Sequence, residues 1–216
     1  MQFFKKSHIV VALVLTFFWV SCGEEKQKQF ESKHPNGSIK SKGLLVKDEN
    51  GEFKREGEWQ FFYNNDQLKE KKTYSNGELS GSYEAFFENG KKKETGEYLN
   101  TEKTGKWSTW NESGQLLQEV EYDKGKKNGT YIINSPDGKK LVQGEYLQGK
   151  QSGMWTRWFP NGKQQETGGY LNGRKHGKWL IWDESGKLIE NLNYDRGQIS
   201  NKKSYTNPMG IPTKKQ

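Results

Sequence analysis

Residues 153–176 read GMWTRWFPNGKQQETGGYLNGRKH, and this stretch alone carries the signals for a pair of strands and two reversals. Its aromatic and β-branched residues favour extended backbone. Pro160-Asn161-Gly162 prescribes a tight turn, because proline fixes φ, asparagine tolerates the next position and glycine supplies φ > 0. A second reversal, Asn172-Gly173-Arg174-Lys175-His176-Gly177, hands the chain on. The stretch reads as strand, turn, strand, turn, with a type I turn closed by a glycine bulge at the first reversal.

The pattern recurs in both directions. Gly57, Gly81, Gly105, Gly129, Gly153 and Gly177 follow one another at a spacing of 24. A turn row (Gly90, Gly114, Gly138, Gly162, Gly186) and a tyrosine row (Tyr74, Tyr98, Tyr122, Tyr146, Tyr170, Tyr194) keep the same step. A fixed period of this size marks a repeat architecture. Six full units run 57–80, 81–104, 105–128, 129–152, 153–176 and 177–200. A degenerate unit precedes them, with Phe30, Gly37 and Gly43 in the places of Tyr83, Gly90 and Gly96 and an insertion around Asp48 to Phe53. Asp66 replaces the turn glycine in one unit, and Asn134 replaces an aromatic in another.

Connections this short leave no room for a crossover helix, so consecutive strands pair antiparallel. The expected fold is all-β, an elongated single antiparallel meander of 24-residue hairpin repeats preceded by a signal-peptide helix. The expected divisions are a lipoprotein signal peptide over 1–21, a tether over 22–29, the repeat array over 30–197 and a loose polar tail over 198–216. Glycines are assigned to turns throughout.

Trp107 and Trp110, Trp155 and Trp158, and Trp179 and Trp182 are each three residues apart, which in a strand places them on opposite faces. One row is expected to pack as a ladder and the other to cover the far side or line an exposed stripe. Which row the tyrosines join depends on one residue of register at each turn. These six tryptophans form the candidate binding surface, set against the alternative that every ring is core.

The hydrophobic fraction is 30%, too little for a large aliphatic core, but 8 Trp, 10 Tyr and 11 Phe supply area in large pieces. A repeat protein needs only shallow burial between neighbouring units. The net charge is +8, with lysine and glutamate interspersed and no basic stripe, which argues for a solvated surface and against nucleic acid as a partner.

Lys5 and Lys6 precede an apolar run from Ile9 to Val20, long enough for a signal-peptide core and too short to span a bilayer. It ends at Ser21-Cys22, and Cys22 is the only cysteine. Val20-Ser21-Cys22-Gly23 resembles the lipobox of bacterial lipoproteins, with Trp19 where leucine is usual. That resemblance implies lipidation at Cys22, a membrane anchor and, with Gly23, Glu24 and Glu25 following, a destination in the outer membrane or at the cell surface.

GKWSTWNESG (105–114), GMWTRWFPNG (153–162) and GKWLIWDESG (177–186), each followed by a return strand and a tyrosine, resemble variant MORN repeats. Similar arrays occur in proteins named YwqK-like antitoxins and in bacterial lipoproteins. The resemblance implies a binding or scaffolding module for a protein or glycan partner, or else an antitoxin that neutralises a toxin.

Catalysis needs one constellation that breaks the repeat, and none is visible. His8 lies in the leader, while His34 and His176 sit in or beside turns. Glu94 and Glu166 recur at matching positions and read as a solvated cross-strand row, with a glycosidase pair as the remote alternative. The chain is therefore expected not to be an enzyme and to require no cofactor or metal.

Overall fold

The computed structural model describes residues 25–205. The signal-peptide segment and Cys22 lie outside the described residues. Fifteen strands form one open sheet in which spatial order equals chain order and every neighbouring pair is antiparallel. The strands are β1 Gln27–Lys33, β2 Ile39–Lys47, β3 Phe53–Phe62, β4 Leu68–Ser75, β5 Glu78–Phe86, β6 Lys92–Leu99, β7 Glu102–Trp110, β8 Leu116–Asp123, β9 Lys126–Asn134, β10 Lys140–Leu147, β11 Lys150–Trp158, β12 Gln164–Leu171, β13 Arg174–Trp182, β14 Leu188–Asp195 and β15 Gln198–Ser204. No helix occurs among the described residues.

The degenerate unit is β1–β2, and the six full units are the hairpins from β3–β4 to β13–β14. Two boundaries differ from expectation. β1 starts at Gln27, inside the segment read as tether, and β15 occupies the start of the segment read as a loose tail. The reason is the same at both ends. Nearly every side chain of β1 and all those of β15 are exposed. These edge strands are held by backbone pairing to one neighbour, which needs no apolar pattern.

The first reversal has the expected geometry. The Gly162 N–H donates to the Phe159 carbonyl, the Phe159 N–H donates to the Lys163 carbonyl, both at 2.8 Å, and Gly162 sits at φ 84°. Asp66 takes the glycine's place at φ 62°. The second reversal is shorter than its six-residue reading. Asn172 and Gly173 alone make it, at φ 52° and 79°, the paired left-handed geometry of a type I′ turn.

Gly177 is therefore not a turn residue, and the assignment of every glycine to turns fails for its whole row. On β13, His176 faces Gly169 and Trp179 faces Gly168, so Gly177 and Lys178 are two extra residues on the outgoing strand. The 24-step glycines mark a special, two-residue bulge in the middle of each outgoing strand, at φ 62–68° in four units and 109–119° in the other two.

The core is a ladder of rings on one face of the sheet. Trp59, Trp107, Trp155 and Trp179 are 1–4% exposed. Gly105 pairs with Tyr122 two residues from Trp107, so the tyrosine row shares a face with the first tryptophan row and not the second. Ring centroids along the ladder lie 5.0–6.4 Å apart, as in Tyr83–Trp107 at 5.3 Å and Tyr98–Trp107 at 5.0 Å, the range in which aromatic pairs attract. Indole N–H groups serve the bulges: Trp155 donates to the Glu145 carbonyl at 3.1 Å and Trp179 to the Gly169 carbonyl at 3.0 Å.

Candidate binding face

The ladder face is roofed by charge. Lys103 Nζ stands 3.6 Å from the centre of the Trp107 ring and 3.1 Å from Glu94 Oε1. Lys175 repeats the arrangement, 3.8 Å from Trp179 and 3.2 Å from Glu166 Oε2. Lys103 sits across from Tyr98, and Glu94 lies two residues beyond Gly96 on the same strand. The ion pair therefore closes over the indole between them. The glutamate row read as solvated is in fact a set of half-buried lids, which Arg55 continues over Trp59 at 4.6 Å.

Burial shows in the tyrosines. Tyr83 is pushed above the ordinary phenol value first by desolvation and then by the Glu70 and Glu94 carboxylates. Tyr98, Tyr122, Tyr146, Tyr170 and Tyr194 shift the same way, with desolvation first in each.

The six candidate tryptophans divide accordingly. Trp107, Trp155 and Trp179, at 2%, 4% and 1% exposure, belong to the ladder and are out of reach of a partner. Trp110, Trp158 and Trp182 remain partly exposed beside the first reversals, in one row with Phe62 and Phe86. Lys42, across from Gln60, brings its ammonium 5.3 Å from the Phe62 ring, so this row looks out from the face opposite the ladder. Asn134 fills the gap in the row and donates to the Leu116 carbonyl at 3.1 Å. The rest of this face is a polar lattice, with Thr73–Ser82 at 3.0 Å, Glu84–Lys92 at 2.9 Å and Thr156–Thr167 at 2.9 Å.

His34 and His176 stand apart, His34 Nε2 3.0 Å from the Phe62 carbonyl oxygen and His176 on β13. Among the described residues no group of His, Cys, Asp or Glu is placed to hold a metal ion. No helix among them is long and apolar enough to cross a membrane.

One part of the polar face escaped the reading of the sequence. On β11 to β13, Met154, Gly169 and Leu180 interrupt the lattice beside a cavity of about 330 Å³, and His176 joins it to a second of about 540 Å³ at the reversal edge. Lys150, Leu171, Arg174, Asp195 and Arg196 line the larger one. The signal was present in the rows: the positions equivalent to Met154 hold Glu58, Ser82, Lys106, Thr130 and Lys178, and those equivalent to Gly169 hold Thr73, Glu97, Glu121, Glu145 and Asn193.

A comparison with curated proteins finds no matching sequence. The profile of the family described as MORN repeat variant matches residues 55–76, 79–100, 103–124 and 175–196. Each match covers an outgoing strand's bulge, the first reversal, the return strand and the start of the second reversal, the unit from which the sheet is built. The chain is a protein of variant MORN repeats.

Proposed function

We propose that the protein is a non-enzymatic, membrane-anchored binding module whose polar face, opposite the ring ladder, receives a protein or glycan partner. The observation that carries this reading is the division of the aromatic rows. One row is consumed by the core, while Phe62, Phe86, Trp110, Trp158 and Trp182 stay partly exposed along one border at the 24-residue step, interrupted once at Asn134. Partly exposed aromatics at regular spacing suit an elongated partner, because such rings contribute much contact area at little entropic cost.

The glycosidase alternative loses its geometry. Glu94 on β6 and Glu166 on β12 are six strands apart, roughly 29 Å at the usual interstrand spacing, well beyond the separation of a catalytic carboxylate pair. The anchor is Cys22, lipidated after removal of the leader and carried in the outer membrane. Its several acyl chains would hold the protein there essentially permanently, at about 0.8 kcal/mol per buried methylene. The antitoxin reading names a toxin as the partner, and growth arrest on deleting the gene is its test.

The binding reading is tested by cross-linked capture from the native cells, using the full-length chain and a Trp110→Ser, Trp158→Ser, Trp182→Ser triple variant, followed by titration of the purified partner. The triple variant should melt near the wild-type temperature and lose the partner. Equal capture by both proteins would overturn the assignment of the face.

A further inference from the structure

Resting on the binding-module reading, we infer that the groove on β11 to β13 takes an extended peptide segment, with carboxylates at its leading end and an apolar side chain behind them. The two cavities share His176 and lie along the strand direction, from Arg174 to Leu180. Because of the bulge at Gly177 and Lys178, that path runs beside Leu171 to Thr167 on β12, or about 13 Å of extended chain. Arg174 pairs with Leu171 and His176 with Gly169, while Met154 faces Gly169 from β11, so all of them look out from the polar face.

Charge complementarity sets the leading end. Lys150, Arg174 and Arg196 come from three successive reversals and meet one carboxylate, Asp195. None of the three makes an ion pair among the described residues, whereas Lys103 and Lys175 on the ladder face are both paired. Positive charges left unpaired around a concave site attract an anion before contact and hold it on arrival.

The middle of the groove decides between classes of anion. Its floor is Gly169, where other units carry charge or hydrogen-bonding groups, and its walls are Met154, 64% exposed, and Leu180. A floor without a side chain leaves room for a peptide side chain, and an exposed thioether adapts to varied apolar shapes. No Trp, Tyr or Phe ring lines either cavity, and the small imidazole of His176 is the one aromatic group there, so a sugar ring or a nucleobase would find no broad stacking platform. These features concentrate in two neighbouring units of an otherwise regular array, which is how a single site arises in a repeat protein.

The test uses the full-length chain in detergent and a fluorescent decapeptide of three aspartates followed by alternating leucine and threonine, read by anisotropy. Parallel arms use the same peptide with lysines for aspartates, an oligogalacturonate and phosphatidylglycerol vesicles. Saturable binding of the acidic peptide that weakens with added salt is expected, with none for its lysine counterpart. Gly169→Glu and Met154→Thr install residues found elsewhere in their rows, and Arg174→Glu reverses a charge. Each should weaken binding about tenfold, with the melting temperature kept in Met154→Thr and Arg174→Glu; a Cβ at position 169 would stand 3.1 Å from the His176 carbonyl oxygen, so Gly169→Glu is expected to melt lower.

Binding confined to the oligogalacturonate or the vesicles, absence of peptide binding, or full affinity in Met154→Thr and Arg174→Glu would overturn the inference. Should it fail while tryptophan-dependent capture persists, the binding-module reading still stands.

Discussion

Gly96 and Trp107 occupy one space: a Cβ on Gly96 would stand 2.2 Å from Cδ2 and Cε2 of the indole. The relationship recurs at Gly43 with Trp59, Gly144 with Trp155 and Gly168 with Trp179. Where the return strand instead carries Lys72 or Val120, the next outgoing strand presents Tyr83 or Tyr131 directly opposite. The bulge glycines follow the exchange: Gly81 and Gly129, at φ 119° and 109°, precede the tyrosines, and the rows at 62–68° precede the tryptophans. An indole lying flat across a strand requires that strand to have no side chain there, whereas the narrower phenol does not.

Gly96→Val is therefore expected to destabilise the fold by about 2 kcal/mol through overpacking. Gly96→Val with Trp107→Tyr recreates the Val120–Tyr131 pairing and should recover at least half of the loss. Urea denaturation of the two single variants and the double variant checks this, and simple additivity would refute the shared-space account.

Gly114 sits at φ 88°, and a Cβ there would meet only the Lys91 Cδ at an ordinary contact distance of 3.7 Å, so backbone strain is what opposes a side chain. Gly114→Val should cost about 1–2 kcal/mol, since a β-branched residue rarely adopts that conformation. Gly114→Asp should cost less, because Asp66 holds the equivalent position at φ 62°. Melting temperatures of both variants decide it, and equal losses would count against the turn geometry.

Alkaline pH should unfold the array. The phenols of Tyr83, Tyr98, Tyr122, Tyr146, Tyr170 and Tyr194 are raised above the ordinary value of 10.0, chiefly by desolvation. The folded state thus binds these protons more tightly than the unfolded chain does. The stability they contribute is fully present below pH 10.0 and declines as pH rises through the folded-state values. Phenolate absorbance followed together with circular dichroism should show late, cooperative ionisation coincident with unfolding. Early, independent titration would show the rings to be solvated.

Cys22→Ser should move the protein from the membrane fraction to the soluble one without altering the repeat array, whose first strand begins at Gln27. Fractionation of cells expressing the variant checks this, and an unchanged membrane pool would remove the lipid anchor from the proposal.

Much of the architecture was legible before any coordinates. Pro160-Asn161-Gly162 and its equivalents state their turn, and the 24-residue step states the repeat, because turn chemistry is local and the spacing is copied through the chain. The bulges were not legible. Gly177 has the same composition in a turn as in the middle of a strand, and only the pairing of His176 with Gly169 and Trp179 with Gly168 distinguishes the two. Part of the candidate site was hidden for a related reason: Met154 and Gly169 lie fifteen residues apart and become one surface only when β11 pairs with β12.

Residue-level preferences repeated in phase dictate a meander of hairpins with rings in register and permit little else. Which row of rings became core and which stayed exposed was settled by the packing of strand against strand. That choice depends on cross-strand register, which sets Gly105 against Tyr122 and Gly96 beneath Trp107, and register is a property of two strands together, not of either one alone.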